Sequence, residues 1–138
     1  MRIWHKDILP ILPKSLLVDQ WSDCMKIAKG IVSYGTPHDL YVNRVMDYPK
    51  EHLASYCYIC KWVLDHNNMS PSQDAVKELT KNLGIYLSQY VDRDAIFESW
   101  HTDRYLFQCC SLLEEMYDCG AIPIDEWLII EDYICEKI

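Results

Sequence analysis

The stretch Pro13-Lys14-Ser15-Leu16-Leu17-Val18-Asp19-Gln20-Trp21-Ser22-Asp23-Cys24-Met25-Lys26-Ile27-Ala28-Lys29-Gly30 decides the fold class. Leu16, Leu17, Trp21, Cys24, Met25 and Ala28 recur at helical spacing and form one apolar stripe. Pro13 ends an extended segment, Ser15 suits an N-cap, and Gly30 offers a stop. The spacing therefore predicts a helix from about Lys14 to Lys29. Asp19 and Asp23 are four apart and share a face beside the stripe.

Downstream, helical punctuation repeats and alternating strand patterns are weak. Residues 30–47 contain Gly30, Gly35, Pro37 and Asn43 and read as an irregular loop. A second helix is predicted from Pro49 to about His66, with Leu53, Tyr56, Cys57, Cys60, Val63 and Leu64 inward. Ser70-Pro71-Ser72-Gln73 reads as a helix start, with Ser70 as the cap and Pro71 at the first position. That third helix carries Val76, Leu79, Leu83 and Leu87, and Gly84 weakens its end. Residues 88–100 give no clear signal. A long helix is predicted from about Asp103 to Cys119, stopping at Gly120. A last helix begins near Asp125, with Trp127, Leu128, Ile130, Ile134 and Ile138 as its apolar positions. The expected architecture is all-α, one compact domain over residues 1–138 with about five helices.

Composition narrows the function classes. The chain has 138 residues and a formal net charge of −8. Residues 1–69 carry eight bases against seven acids, whereas residues 70–138 carry five bases against fourteen acids. A nucleic-acid footprint is basic; the whole-chain balance argues against one, while residues 1–69 leave room for a modest DNA contact. The acidic part at 70–138, rich in tyrosine (Tyr86, Tyr90, Tyr105, Tyr117, Tyr133), suits a protein partner. No window approaches the roughly 18 apolar residues of a membrane span. Pro10 and Pro13 break the apolar run after Lys6, so the start does not read as a signal peptide. The expectation is a soluble, cytoplasmic protein without a membrane partner. The seven cysteines read as free thiols of a reducing compartment. Cys57 and Cys60 form one C-x-x-C pair inside a helical pattern, and no second pair stands at zinc spacing. No metal or other cofactor is expected.

The chain start bears the densest chemistry. An α-amine titrates near pH 7.7–8, roughly, so a useful share is neutral and nucleophilic near pH 7. Beside a carboxylate it makes a candidate active site. Met1-Arg2-Ile3-Trp4-His5, then Asp7, Leu9-Pro10, Leu12-Pro13, Leu16-Leu17 and Gln20-Trp21-Ser22-Asp23-Cys24, resembles the opening of the pyrimidine-dimer DNA glycosylase family, the phage endonuclease V type. Pro37-His38 and Tyr48-Pro49-Lys50-Glu51-His52-Leu53 are similar to that family's middle. The resemblance covers about residues 1–71; residues 72–138 form an acidic helical part without a match. It implies an endonuclease V-like fold in the first half and a DNA glycosylase with AP-lyase activity, a DNA-repair function. By that resemblance the nucleophile is the Met1 amine and the catalytic carboxylate is Asp23. The family usually has Glu there, preceded by Arg; here the pair is Ser22-Asp23. Arg2 takes the place of a phosphate-contacting arginine, and His5, Lys26, Lys29, Arg44 and Lys50 are further candidates for DNA contact. The alternative is a catalytically inactive relative: an acidic protein-binding factor of viral or phage type that antagonises a host defence component or mimics DNA.

Overall fold

The computed structural model describes residues 1–137 and is all-helical, with no strand among them. Five α-helices run Lys14–Tyr34 (α1), Lys50–His66 (α2), Gln73–Leu83 (α3), Asp103–Asp118 (α4) and Ile124–Lys137 (α5). Short 3-10 turns lie at Lys6–Ile11, Asn43–Asp47 and Arg93–Ala95. Ile138, expected on the last helix, lies outside the described residues.

Helix α1 packs on α2 and α3, α4 packs on α5, and the Lys6–Ile11 turn touches α2 and α5. The inward face of α1 is Leu17, Gln20, Trp21, Cys24, Ile27 and Ala28. Tyr56, Cys57 and Cys60 of α2 and Leu79 of α3 meet it in the core. Trp21 is a core side chain, 8% exposed.

Several boundaries differ from expectation, each for a local reason. Helix α1 passes through Gly30 and stops at Gly35, whose φ of 78° is the left-handed conformation glycine tolerates. Gly30 serves close packing instead: a Cβ there would stand 3.1 Å from Pro37 Cα. Ser15 does not cap α1. Pro13 occupies that position without a side-chain bond, and the Lys14 N–H donates to Glu126 Oε2 of α5 at 2.6 Å. A carboxylate from a distant helix thus meets an orphan donor at the positive end of α1. Helix α3 is capped by Ser72, whose hydroxyl accepts from the Ala75 N–H at 3.1 Å, not by Ser70. Leu128 is 51% exposed, on the outer side of α5.

Residues 88–100 run largely over the surface but send three side chains into the core. Ile96, Phe97 and Trp100 are all buried. Phe97 sits at φ 52°, a costly conformation for a bulky residue. The fold holds it by burying the ring completely and by donating the Phe97 N–H to His52 Nδ1 at 3.0 Å.

This segment closes on the chain start through two buried histidines. His5 caps its own turn, with Nδ1 accepting from the Asp7 N–H at 3.1 Å. Its remaining ring proton is therefore on Nε2, which donates to the His101 carbonyl at 3.1 Å. His101 Nδ1 accepts from the Lys6 N–H at 3.0 Å, and the two rings stack 4.9 Å apart. Both imidazoles are thus held neutral. Burial lowers the His101 pKa to about 2, assisted by the nearby Lys6 and Arg44 charges. Burial also lowers His5, against the opposing pull of Asp7 and the His101 carbonyl.

The sign of the pH dependence follows. Below about pH 6.5 an unfolded histidine takes up a proton, while folded His101 stays neutral until about 2. The unfolded state then binds more protons, so stability falls as pH falls, by about 1.4 kcal/mol per pH unit for each such histidine. Urea unfolding between about pH 7.5 and 5 is expected to show this slope, reduced by about one proton in His101→Gln. A flat profile in the wild type contradicts the neutral buried pair.

Candidate active site at the chain start

Three side chains, one each from α1, α2 and α4, hold the backbone of residues 2–4 and fix where the chain start lies. Gln20 sits on the buried face of α1, 1% exposed. Its Nε2 donates to the Arg2 carbonyl at 2.9 Å, and its Oε1 accepts from the Trp4 N–H at 2.8 Å. The Tyr56 hydroxyl of α2 donates at 2.6 Å to the Trp4 carbonyl and stands 3.1 Å from Gln20 Oε1. Tyr105 of α4 donates its hydroxyl to the Ile3 carbonyl. Burial raises the pKa of Tyr56 and Tyr105, so both are neutral donors. Ile3 and Trp4 are buried beneath these contacts, so the chain start is anchored.

Asp23 lies three residues after Gln20, about one helical turn along the same face. Its Oδ2 accepts from the Arg2 N–H at 3.1 Å. That nitrogen is three bonds from the Met1 amine, so Asp23 meets the peptide next to the amine; no hydrogen bond or ion pair joins the amine to Asp23 itself among the described residues. The amine itself forms an ion pair with Asp39 Oδ2 at 3.1 Å. Asp39 is held by its own loop: Oδ1 accepts from the Tyr41 N–H at 2.9 Å, and its N–H donates to Asn43 Oδ1 at 3.1 Å. Partial desolvation pushes the Asp39 carboxyl upward; the amine and the loop N–H groups outweigh it, so its pKa ends below the ordinary value. The N-terminal dipeptide therefore rests between two carboxylates from different elements. The Arg2 guanidinium lies 5.1 Å from the centre of the Trp4 ring.

The other expected contacts divide. Lys26 and Lys29 are exposed on α1 beyond Asp23. Arg44 is exposed, 5.5 Å from the centre of the Trp100 ring, with Nη2 3.4 Å from the Ser99 carbonyl. Lys50 is exposed beside Gly84 at the end of α3. Among the described residues, no hydrogen bond or ion pair links Lys26, Lys29, Arg44 or Lys50 to the N-terminal dipeptide. His5 is the correction: it is 3% exposed with both ring nitrogens engaged, so it braces the fold and cannot meet a phosphate. His38 lies on the surface beside Tyr34, and His52 supports the Phe97 backbone.

Sequence reasoning passed over Gln20, Asp39 and Lys6. Gln20 had a readable signal, a polar residue three after Leu17 and four before Cys24 on an apolar stripe. Asp39 two residues before Tyr41 signals a local turn, but nothing local announces its reach to Met1. Lys6 is 4% exposed, and its ammonium donates to the carbonyls of Ile96 (2.7 Å) and Asp94 (2.9 Å). Burial lowers its pKa.

Among the described residues, no group of three or more His, Cys, Asp or Glu side chains could hold a metal ion. Cys57 and Cys60 are buried on one face of α2. The Cys24 thiol and burial push Cys57 well up, and burial does the same for Cys60, so both are protonated thiols. No family model, curated protein or solved structure matches this chain.

Gln20 is expected to be the decisive anchor. Gln20→Leu strands the buried Trp4 N–H, the Arg2 carbonyl and part of the Tyr56 bonding, at about 1–3 kcal/mol for each unsatisfied group. Denaturant unfolding is expected to show a loss of about 2–4 kcal/mol. A loss under about 0.5 kcal/mol, the size of an ordinary surface change, contradicts the anchoring role.

Proposed function

We propose that this chain is a divergent DNA glycosylase with AP-lyase activity, acting through the Met1 amine and Asp23. The observation that supports this reading is the setting of the amine: held by Asp39, partly exposed, and followed by a peptide N–H that donates to Asp23 Oδ2. Amine nucleophiles act on sugar carbons through imines. The deprotonated amine forms a bond to C1′ of a damaged nucleotide. The bond from C1′ to the base breaks, and the base leaves with the electron pair and then takes a proton. Ring opening gives the imine. Loss of a C2′ proton then expels the 3′ phosphate, and water releases the sugar fragment.

Asp23 is suited to position the sugar and carry protons, since Oδ2 is engaged by Arg2 and Oδ1 has no hydrogen bond among the described residues. Asp39 serves differently. Its lowered pKa makes it a poor base at neutrality, so it holds the ammonium in place and must release it before attack. Arg2, Lys26, Lys29, Arg44 and Lys50 are the cations proposed to meet the DNA backbone.

Strand nicking of a duplex with one abasic site tests the reading. Asp23→Asn is expected to slow nicking by about 10²-fold or more, the usual worth of a positioned acid–base group. Asp39→Asn is expected to change it less than about tenfold, since exposed ion pairs contribute about 0–1 kcal/mol. N-terminal acetylation is expected to abolish it. Unchanged nicking in the acetylated protein overturns the proposal.

A second reading has its own observation. Ile124, Leu128 and Ile129 of α5 are more than half exposed, beside the acidic Asp125, Glu131 and Asp132. That face suits a catalytically inactive relative that binds a host protein or imitates DNA. It predicts a stoichiometric host partner that Leu128→Asp with Ile129→Asp releases; a pull-down returning none counts against it.

A further inference from the structure

A cavity of about 280 Å³ opens beside the N-terminal dipeptide, lined by Arg2, Ile3, Tyr41, Tyr105, Gln108 and Leu112. It shares walls with the amine site. Arg2 follows Met1 in the chain, and the Tyr41 N–H holds Asp39, the partner of the amine. A wider depression of about 660 Å³ continues along α4 past Arg104 and Phe107, and Gln108 and Leu112 line both. The two spaces thus form one groove, whose near end is lined by Arg2, the residue after Met1.

The walls have a definite chemistry. Ile3 and Leu112 supply apolar surface, and Tyr41, 75% exposed, supplies an aromatic face for stacking. The Tyr105 hydroxyl is spent on the Ile3 carbonyl. Gln108 is exposed on α4, and its amide makes no hydrogen bond among the described residues. It therefore brings two donors and one acceptor to the space. At roughly 30 Å³ per water, the cavity holds roughly nine waters, about the heavy-atom count of one pyrimidine ring with its substituents. Arg2 is the cation at the near end of the groove and Arg104 the cation further along it, while Glu115 lines the wider part.

We infer that this cavity receives a single pyrimidine-sized base extruded from the DNA strand, and that Gln108 reads its edge and sets base specificity. The inference rests on the proposed role of the Met1 amine. The base stacks on Tyr41 with its sugar at Met1, and the flanking phosphate passes Arg104. An extruded base is read by its hydrogen-bonding edge and by stacking.

The test compares two substrates for the intact protein. One is a duplex with an abasic site, which has no base to fill the cavity. The other is a panel of duplexes, each with one damaged pyrimidine: dihydrouracil, thymine glycol or 5-hydroxycytosine. Gln108→Ala is expected to slow base release roughly ten- to hundredfold, the worth of one bidentate base contact, and to leave abasic nicking within about twofold. Gln108→Glu, which only accepts, is expected to shift preference toward 5-hydroxycytosine, whose edge donates. Equal effects on both substrates, no effect on either, or wild type that nicks abasic DNA and releases no base from the panel overturns the inference. Absence of abasic nicking in wild type overturns the amine reading instead. The cavity is then read separately by photo-crosslinking to a single strand with one 4-thiothymine. Crosslinks to Tyr41 or the Gln108 segment support it, and crosslinks confined elsewhere overturn it.

Discussion

The side chain of Gln20 is the constraint on which the position of the chain start depends. One amide satisfies the Arg2 carbonyl and the Trp4 N–H together, with Tyr56 closing the arrangement from α2. Chain ends ordinarily fray because ordering them costs more than their few contacts return. Here Ile3 and Trp4 contribute buried apolar surface, and the polar backbone groups between them are met by side chains. Order thus reaches Met1, held by Asp39, and Asp23, one turn beyond Gln20, meets the adjoining Arg2 N–H. Anchoring and the proposed chemistry share one helix face.

The second half of the chain completes this arrangement. Residues 93–101 cover the start of the molecule through the His5–His101 pair and the Lys6 ammonium. Tyr105 then fastens Ile3 from α4. A buried ammonium bonded only to carbonyls is costly to desolvate, and it tolerates little movement of its partners. The structure therefore ties the acidic part to the N-terminal part by polar contacts at depth. These contacts hold α4, and with it Gln108, against the dipeptide.

Much of the helical frame was legible because periodicity and punctuation are local. The apolar stripe of α1, Pro49 before α2 and Gly120 after α4 are each readable within one turn. The choice among punctuators was not. Gly30 and Gly35 both suit a stop, and packing against Pro37 assigned Gly30 to the helix interior. Ser70 and Ser72 both suit a cap, and only the reach to Ala75 separates them. Residues 88–100 lacked a repeat because their order comes from Ile96, Phe97 and Trp100 inserting into a core built elsewhere. At the site, the resemblance of residue pattern singled out Met1, Arg2 and Asp23, and the Arg2 N–H donates to Asp23. Asp39 and Gln108 are brought in by long-range closure, which leaves no mark on neighbouring residues. His5 was a candidate for phosphate contact in the sequence; its burial depends on His101, far along the chain.

Covalent chemistry at the first nitrogen of the chain is the claim that everything functional rests on, and the attachment point of a reduced adduct tests it most directly. The protein is incubated with abasic duplex and borohydride, digested, and its peptides are mapped by mass spectrometry. The account predicts the sugar remnant on the α-nitrogen of Met1. A remnant on a lysine ε-nitrogen, or unmodified peptides throughout, contradicts it.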